Sequence, residues 1–334
     1  MKGEVNDVKK RLDTSTGKLR LETLLSLGKN KSLPALERET YLEEGLQLAR
    51  QLETPDLEYW CTYYLGQLYC HGGEAEKAKK HCTAAKALAN EQSNETKVAY
   101  SHLLLSKFHN LIENNFTRAL HSADQAQALM EKLSDKTGLA LAKTEQGNAH
   151  KRLGQYKEAL TLYHQVLKAG HEMNNLQTVS DAVSSIGNIH YYLGEHKKAL
   201  EFYRELITLC KKLNIYDGIA TTHANMALSS QAIGDYENAE TYIEEALQIF
   251  ETEGNHHSMI NGYVLLGQIC MNKGDDNAAF ENLSKAARLN SKSGSVMLSA
   301  SIEGVMGQCL FQMRNYSDCI AHLLQAEEYA KATD

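Results

Sequence analysis

The sequence predicts an all-α protein built from tandem helix-turn-helix repeats, and three observations support this class. The 334 residues include only two prolines, Pro34 and Pro55, and so few helix breakers favour long uninterrupted helices. The good helix formers Leu, Ala, Glu, Lys and Gln dominate the composition. Small residues recur with a fixed period of 40 residues, which is typical of a repeat architecture.

The repeat is visible as three columns of small residues in register over five copies. The first column is Gly147, Gly187, Ala227, Gly267 and Gly307; the second is Ala159, Ala199, Ala239, Ala279 and Cys319; the third is Gly154, Gly194, Gly234, Gly274 and Arg314. We interpret the first two as helix crossings, where a small residue lets two backbones approach closely. The third column marks the turn between the two helices of a unit.

The columns divide the chain into a polar N-terminal segment, residues 1–16, and a single array of about eight repeats, residues 17–334. The expected repeats are 17–53, 58–93, 98–134, 139–175, 179–215, 219–255, 259–295 and 299–334. No hairpin of this kind can bury its apolar face alone, so each is expected to stack on the next.

Three segments resemble the tetratricopeptide repeat: LGQLY at 65–69, GNAHKRLGQYKEAL at 147–160 and GNIHYYLGEHKKAL at 187–200. The period departs from the usual 34 residues of that family, and the 40-residue variant is similar to kinesin light chains, Pins-type adaptors and bacterial signalling proteins. The resemblance implies a right-handed superhelical solenoid whose concave groove is lined by the first helices. It also implies a scaffold that binds a protein or peptide, in a regulatory or signalling role.

One column next to the first small residue carries side chains that packing does not require. Its members are Gln67, Lys107, Asn148, Asn188, Leu228, Gln268 and Gln308, and five of these seven are amides. An amide both donates and accepts, so it can pair with the main chain of an extended peptide. The resemblance implies this role for Asn148 and Asn188, although a purely structural role for the two remains open.

The predicted peptide-binding groove takes the six polar residues of this column and adds two more from the same helical stripe, Lys151 and Tyr191. It comprises Gln67, Lys107, Asn148, Lys151, Asn188, Tyr191, Gln268 and Gln308. Aromatic residues on the stripe, such as Trp60, Tyr63 and Tyr100, are either apolar anchors for a ligand or packing residues.

Other classes of function have little support in the sequence. The net charge of −7 disfavours a nucleic-acid binder, which needs a basic surface. No apolar run or signal segment suggests a membrane or secretion, so we expect a cytoplasmic protein with seven reduced, buried cysteines. Cys61, Cys70, His71, His81 and Cys82 crowd one repeat, but their spacing does not converge on a metal. Without a phosphate loop or nucleophile elbow, we expect no cofactor and no enzyme activity.

A second function fits the same repeats. Many bacterial histidine kinases and diguanylate cyclases carry N-terminal repeats similar to these, as a sensory or regulatory region. The last segment, 317–334, lacks the polar outer face of a capping helix, which agrees with a further domain after it. Both functions remain open from the sequence.

Overall fold

A computed structural model describes residues 2–30, 33–213 and 216–332 of the chain. Within these residues all regular structure is α-helical, and no strand is present. This confirms the all-α repeat class. The chain divides into two compact units, residues 1–182 and 183–334. None of the helices in the described ranges combines the length and apolarity needed to cross a membrane.

The first unit holds a leading helix and four helical hairpins. Its helices are α1 (Lys2–Thr14), α2 (Gly17–Gly28), α3 (Ala35–Gln51), α4 (Pro55–Gly72), α5 (Ala75–Glu91), α6 (Glu95–Leu111), α7 (Phe116–Lys132), α8 (Lys136–Arg152) and α9 (Tyr156–Glu172). Helix α10 (Leu176–Tyr192) includes the division between the units. Each helix packs mainly on its neighbours in sequence, as expected of stacked repeats.

The second unit repeats the same hairpin. Its helices after α10 are α11 (His196–Leu213), α12 (Tyr216–Ala232), α13 (Tyr236–Glu253), α14 (His256–Lys273), α15 (Asp276–Ser293), α16 (Val296–Gln312) and α17 (Tyr316–Lys331). Side chains of Asn or Asp cap many helix starts; for example, Asp135 accepts from the Gly138 amide and Asp235 from the Asn238 amide. These caps satisfy backbone donors that the first turn of a helix leaves free.

The two predicted crossing columns lie in the core of the hairpins. Ala159 and Ala199 are fully buried. Four residues later in the same helices, the buried rings of Tyr163 and Tyr203 lie against Gly147 and Gly187 of the preceding helix. The small residue therefore makes the notch, and the bulky residue of the second helix fills it, as the sequence predicts.

The turn column has the left-handed backbone conformation that glycine tolerates best. Gly154 and Gly194 both have φ of +73°, and Arg314 has φ of +61° at the equivalent position. A second left-handed position lies between successive hairpins, where non-glycine residues such as Ser134 and Asn174 occur. The sequence analysis did not predict this second position, at which only the later hairpins have glycine, Gly254 and Gly294 among the described residues.

The polar N-terminal segment contains structure that the sequence did not predict. Helix α1 packs on α2, with Leu12 buried against Leu24 and Leu27. Lys9 forms an ion pair with Glu37 of α3 at 2.7 Å. This segment therefore covers the apolar face of the first hairpin, which would otherwise contact water.

Candidate functional site

The first helices of the hairpins form one continuous face within each unit. In the first unit α2 contacts α4, α4 contacts α6, and α6 contacts α8. The second helices α3, α5, α7 and α9 make no comparable contacts with each other among the described residues of this unit. The first helices are therefore closer together, and their exposed side is the inner face of the unit. In the second unit α12, α14 and α16 form the corresponding inner face.

Four predicted groove residues lie on the inner face of the first unit. The buried carboxylate of Glu145 contacts two of them, Lys107 and Asn148. Gln67 is on α4, Lys107 on α6, and Asn148 and Lys151 on α8. Glu145, which is only 7% exposed, lies 3.3 Å from the Lys107 ammonium. This pairing compensates the carboxylate for its loss of water.

Asn148 contacts the core of its own hairpin, a contact that the sequence analysis did not predict. The hydroxyl of Tyr163 donates to Asn148 Oδ1 at 2.8 Å, and Asn148 Nδ2 lies 3.5 Å from Glu145 Oε2. We expected an amide able to donate and accept towards a ligand, but its oxygen already accepts from a buried phenol. The oxygen is therefore directed towards the buried phenol, and the amino group, with two N–H donors, is the end of the amide directed away from it.

The amide of Gln67 has the opposite orientation. Its Nε2 donates to the hydroxyl of Tyr63 at 2.8 Å, so its oxygen is the group left to accept. Gln67 and Asn148 thus differ chemically, although the sequence places them in one column. No direct contact joins Gln67 to Lys107 or Asn148 among the described side chains.

Lys151 is half-buried at the end of α8. Burial lowers the pKa of its ammonium, and the nearby Arg152 acts in the same direction, whereas Glu145 opposes it. Among the described residues it has no hydrogen-bond or ion-pair partner. A partly desolvated cation without a partner is a recognised feature of functional sites.

The aromatic residues of the first unit cluster at the other end of α4 and α6. The Trp60 ring lies 5.6 Å from that of Tyr63 and 5.5 Å from that of Tyr100, both edge to face. Tyr63 is only 3% exposed, so it packs in the core and is not an anchor for a ligand. Trp60 and Tyr100 are half-buried, and burial raises the pKa of the Tyr100 phenol to about 12.

The second unit repeats the contact between asparagine and tyrosine. Tyr203 donates to Asn188 Oδ1 at 2.9 Å, and Asn225 Nδ2 lies 3.4 Å from the same oxygen. Tyr191 is half-buried one turn beyond Asn188 and lies edge to face with the His196 ring at 5.3 Å. Burial raises the pKa of the Tyr203 phenol, which keeps it a hydrogen-bond donor.

Gln268 and Gln308 lie on later helices of the second unit and have different surroundings. Gln268 is half-buried on α14, and Gln308 is exposed on α16. Gln308 lines a cavity of about 320 Å³, together with Gly307, Phe311, Gln312, Cys319 and Leu323. The structure does not bring Gln268 or Gln308 into contact with Asn188.

All seven cysteines are buried, as the sequence predicts. Cys70 and Cys82 are neighbours, with their sulfur atoms 3.8 Å apart between α4 and α5. No group of three or more metal-ligating side chains converges within residues 2–30, 33–213 and 216–332. The thiols therefore serve as small core residues.

Sequence reasoning missed the residues that hold the groove asparagines. Tyr163 and Tyr203 were expected only to pack, and Glu145 was not singled out. A signal for the pairing was present, because the tyrosine follows the asparagine by 15 residues in both hairpins. Its meaning depends on the angle between the two helices, which the sequence does not provide.

The fold and the site define a helical-repeat protein with a polar inner face. Models of the tetratricopeptide repeat match residues 144–176, 179–214 and 218–292. These three segments are therefore tetratricopeptide repeats, which confirms the resemblance seen in the sequence. No curated protein matches the chain in sequence.

Several solved structures have the same fold at low sequence identity. The chain is similar to a signal transduction ATPase with numerous domains from Pyrococcus horikoshii, which has a tetratricopeptide repeat sensor (14% identity, TM-score 0.74, 98% of this chain and 50% of that one). It thus spans half the length of that protein. A Rap protein complexed with Competence and Sporulation Factor matches at 15% identity and a TM-score of 0.62, over 98% of both chains. A putative kinesin light chain from Podospora anserina matches at 16% identity and a TM-score of 0.52, over 60% of this chain and 97% of that one.

Proposed function

We propose that this chain is a cytoplasmic scaffold that binds a protein or peptide on the inner faces of its first helices and acts in regulation or signalling. It works by binding and carries out no reaction of its own. The observation that carries the proposal is Lys151, a half-buried ammonium without a partner among the described residues, beside the oriented amide of Asn148. Removing such groups from water is costly unless something pairs with them.

The inner face of the first unit, from Lys151 at one end of its helices to the aromatic residues at the other, fits an extended peptide. Lys107 and Asn148 supply further donors on α6 and α8. Trp60 and Tyr100, half-buried on the same face, provide apolar surface. A few polar groups beside aromatic surface are the usual composition of a binding site.

The structural comparisons support this function by analogy. The Rap protein was solved with a bound factor, and the Pyrococcus protein uses its tetratricopeptide repeats as a sensor. Identities of 14–15% establish the fold, and function is carried by sites built on a fold. The function of this chain therefore depends on the residues of its own inner faces.

A second candidate function is the sensory or regulatory region of a larger bacterial signalling enzyme, such as a histidine kinase or a diguanylate cyclase. The observation that favours it is the match to the Pyrococcus protein, of which the chain spans half. Both candidates require a ligand on the inner face, and they differ in what the bound ligand controls.

The test uses a peptide selected from a random library against the wild-type protein. Its affinity is measured by fluorescence anisotropy for wild type, Asn148→Ala and Lys151→Ala. Each variant leaves a group of the bound peptide without its partner, at a cost of about 1–3 kcal/mol, so binding should weaken roughly tenfold. Lys168→Ala is the matched control, because Lys168 is exposed on α9. If both inner-face variants bind like wild type, the peptide does not bind at this site and the proposal fails.

A further inference from the structure

Each groove asparagine is held by a buried tyrosine of the second helix in its hairpin. Tyr163 is fully buried and donates to Asn148 Oδ1; Tyr203 is 1% exposed and donates to Asn188 Oδ1. The two contacts measure 2.8 and 2.9 Å. The same geometry thus occurs in both compact units.

The hydrogen bond from the tyrosine determines which end of the asparagine amide points towards the inner face. A carboxamide is planar, with its oxygen and its amino group on opposite sides of the terminal carbon. When the oxygen points to the buried phenol, the amino group points away from it. Asn148 Nδ2 lies 3.5 Å from Glu145 Oε2, and this long contact uses at most one of its two N–H groups.

We infer that Tyr163 and Tyr203 are positioning residues that fix Asn148 and Asn188 as hydrogen-bond donors. The inner face of each unit then recognises a carbonyl oxygen of an extended peptide main chain at its own asparagine, and not a main-chain N–H group. This inference rests on the proposed function and specifies the polarity of its site. An amide held in place before binding loses less freedom when the ligand arrives, which strengthens binding.

The neighbouring charges agree with this polarity in the first unit. Lys107 lies 3.3 Å from Glu145, and Lys151 lies one turn beyond Asn148 on α8. Ammonium groups only donate. Around Asn148 the inner face is therefore rich in donors, and the neighbouring carboxylate of Glu145 is buried and already paired. Gln67, held by Tyr63 in the reverse orientation, presents an acceptor on α4 instead.

The experiment uses a peptide selected from a random library on the wild-type protein, with affinity measured by fluorescence anisotropy. Tyr163→Phe removes the hydroxyl and keeps the ring, so binding should weaken about threefold, the effect of one net hydrogen bond. Asn148→Asp keeps the acceptor for Tyr163 but has no amino group, so binding should weaken roughly tenfold. Tyr69→Phe is the matched control, because that buried hydroxyl donates to Glu39 and not to a groove amide.

A double variant separates positioning from a general structural role. If Tyr163 acts through Asn148, then Tyr163→Phe combined with Asn148→Ala binds no more weakly than Asn148→Ala alone. Additive losses would show that Tyr163 acts independently and would overturn the inference. An affinity of Asn148→Asp equal to that of wild type would overturn it too, because a carboxylate cannot donate.

A spectroscopic measurement distinguishes this inference from the proposed function. In the free protein, the side-chain NH₂ resonances of Asn148 should shift in Tyr163→Phe and remain unchanged in Tyr69→Phe. Unchanged resonances in Tyr163→Phe would overturn the positioning role, even if the peptide still requires Asn148. If the resonances shift but Asn148→Ala binds the peptide like wild type, the proposed site fails, and with it the role of this amide in recognition.

Discussion

The ring of Tyr163 fills the notch left by Gly147 on α8: a Cβ atom at Gly147 would lie 2.6 Å from Tyr163 Cε1. Gly187 and Tyr203 have the same relationship in the second unit, at 2.9 Å. The tyrosine therefore has two functions in the hairpin. Its ring packs on the glycine of the first helix, and its hydroxyl holds the next residue, the groove asparagine. Packing and the candidate site depend on the same side chain.

Gly147→Ala should destabilise the protein, although alanine favours helix formation. The gain in helix propensity is about 0.5–1 kcal/mol, but overpacking against the Tyr163 ring costs about 1–3 kcal/mol. Urea denaturation measures the difference. Gly304→Ala is the matched control, because Gly304 lies within α16 and a Cβ there meets nothing within 4 Å. That variant should gain up to about 1 kcal/mol, and equal gains in both variants would contradict the close packing at Gly147.

Arg314→Gly should stabilise the last hairpin. Arg314 has φ of +61° where other hairpins have glycine, and a left-handed residue with a Cβ costs about 1–2 kcal/mol. Part of this gain is lost because glycine makes the unfolded chain more flexible, which leaves about 0.5–1 kcal/mol. Gly274→Arg, at the equivalent turn with φ of +83°, should have the opposite effect in the same thermal denaturation assay. A lower melting temperature for Arg314→Gly would show that the arginine side chain stabilises this turn.

The native thiols should react slowly with iodoacetamide at pH 8. Burial raises the pKa of Cys61 to about 12 and that of Cys309 to about 11, and the thiolate is the reactive form. Relative to an ordinary thiol with a pKa near 8.5, the thiolate fraction at pH 8 falls roughly a hundredfold or more. Ala321→Cys adds an exposed position on α17 and should label rapidly. Mass spectrometry counts the modified sites, and rapid labelling of Cys61 or Cys309 in the native protein would contradict their burial.

The hairpins could be predicted from the sequence because their spacing depends on side-chain size alone. Gly154 and Gly194 marked the turns, and Ala159 and Ala199 marked the crossings, where a larger residue cannot fit. The period of 40 residues followed from these columns without any knowledge of partners.

The candidate site could be predicted only as a set of positions. Asn148 and Gln67 occupy equivalent places, yet one amide accepts from a tyrosine and the other donates to one. That difference depends on whether the tyrosine comes from the second helix, as Tyr163 does, or from the same helix, as Tyr63 does. Likewise, the exposure of Tyr63 depends on packing between successive helices. The sequence pattern specifies neither which helix supplies the tyrosine nor how successive helices pack.

His102 should make the stability of the protein sensitive to acid. Its Nδ1 atom is buried on α6 without a hydrogen-bond partner among the described residues. Burial lowers the pKa of His102 to about 4, with smaller effects in the same direction from Lys86 and His121. An ordinary histidine, as in the unfolded chain, has a pKa near 6.5. Between these two values the unfolded chain binds a proton that the native protein does not, so the free energy of unfolding falls as the pH falls through this window.

His102→Leu should remove this pH dependence. The free energy of unfolding of the variant minus that of wild type should be about 1 kcal/mol larger at pH 5 than at pH 7. This value is already reduced because the ring is partly exposed to solvent. Other groups titrate in the same range, but they contribute equally to both proteins, so the comparison isolates His102. His257→Leu is the control, because His257 is exposed at the start of α14, and its difference from wild type should be the same at both pH values. Urea denaturation at pH 5, 6 and 7 measures all three proteins. A constant difference between His102→Leu and wild type across this range would mean that His102 binds its proton equally well in the native and unfolded states, and that its ring is accessible to water in solution.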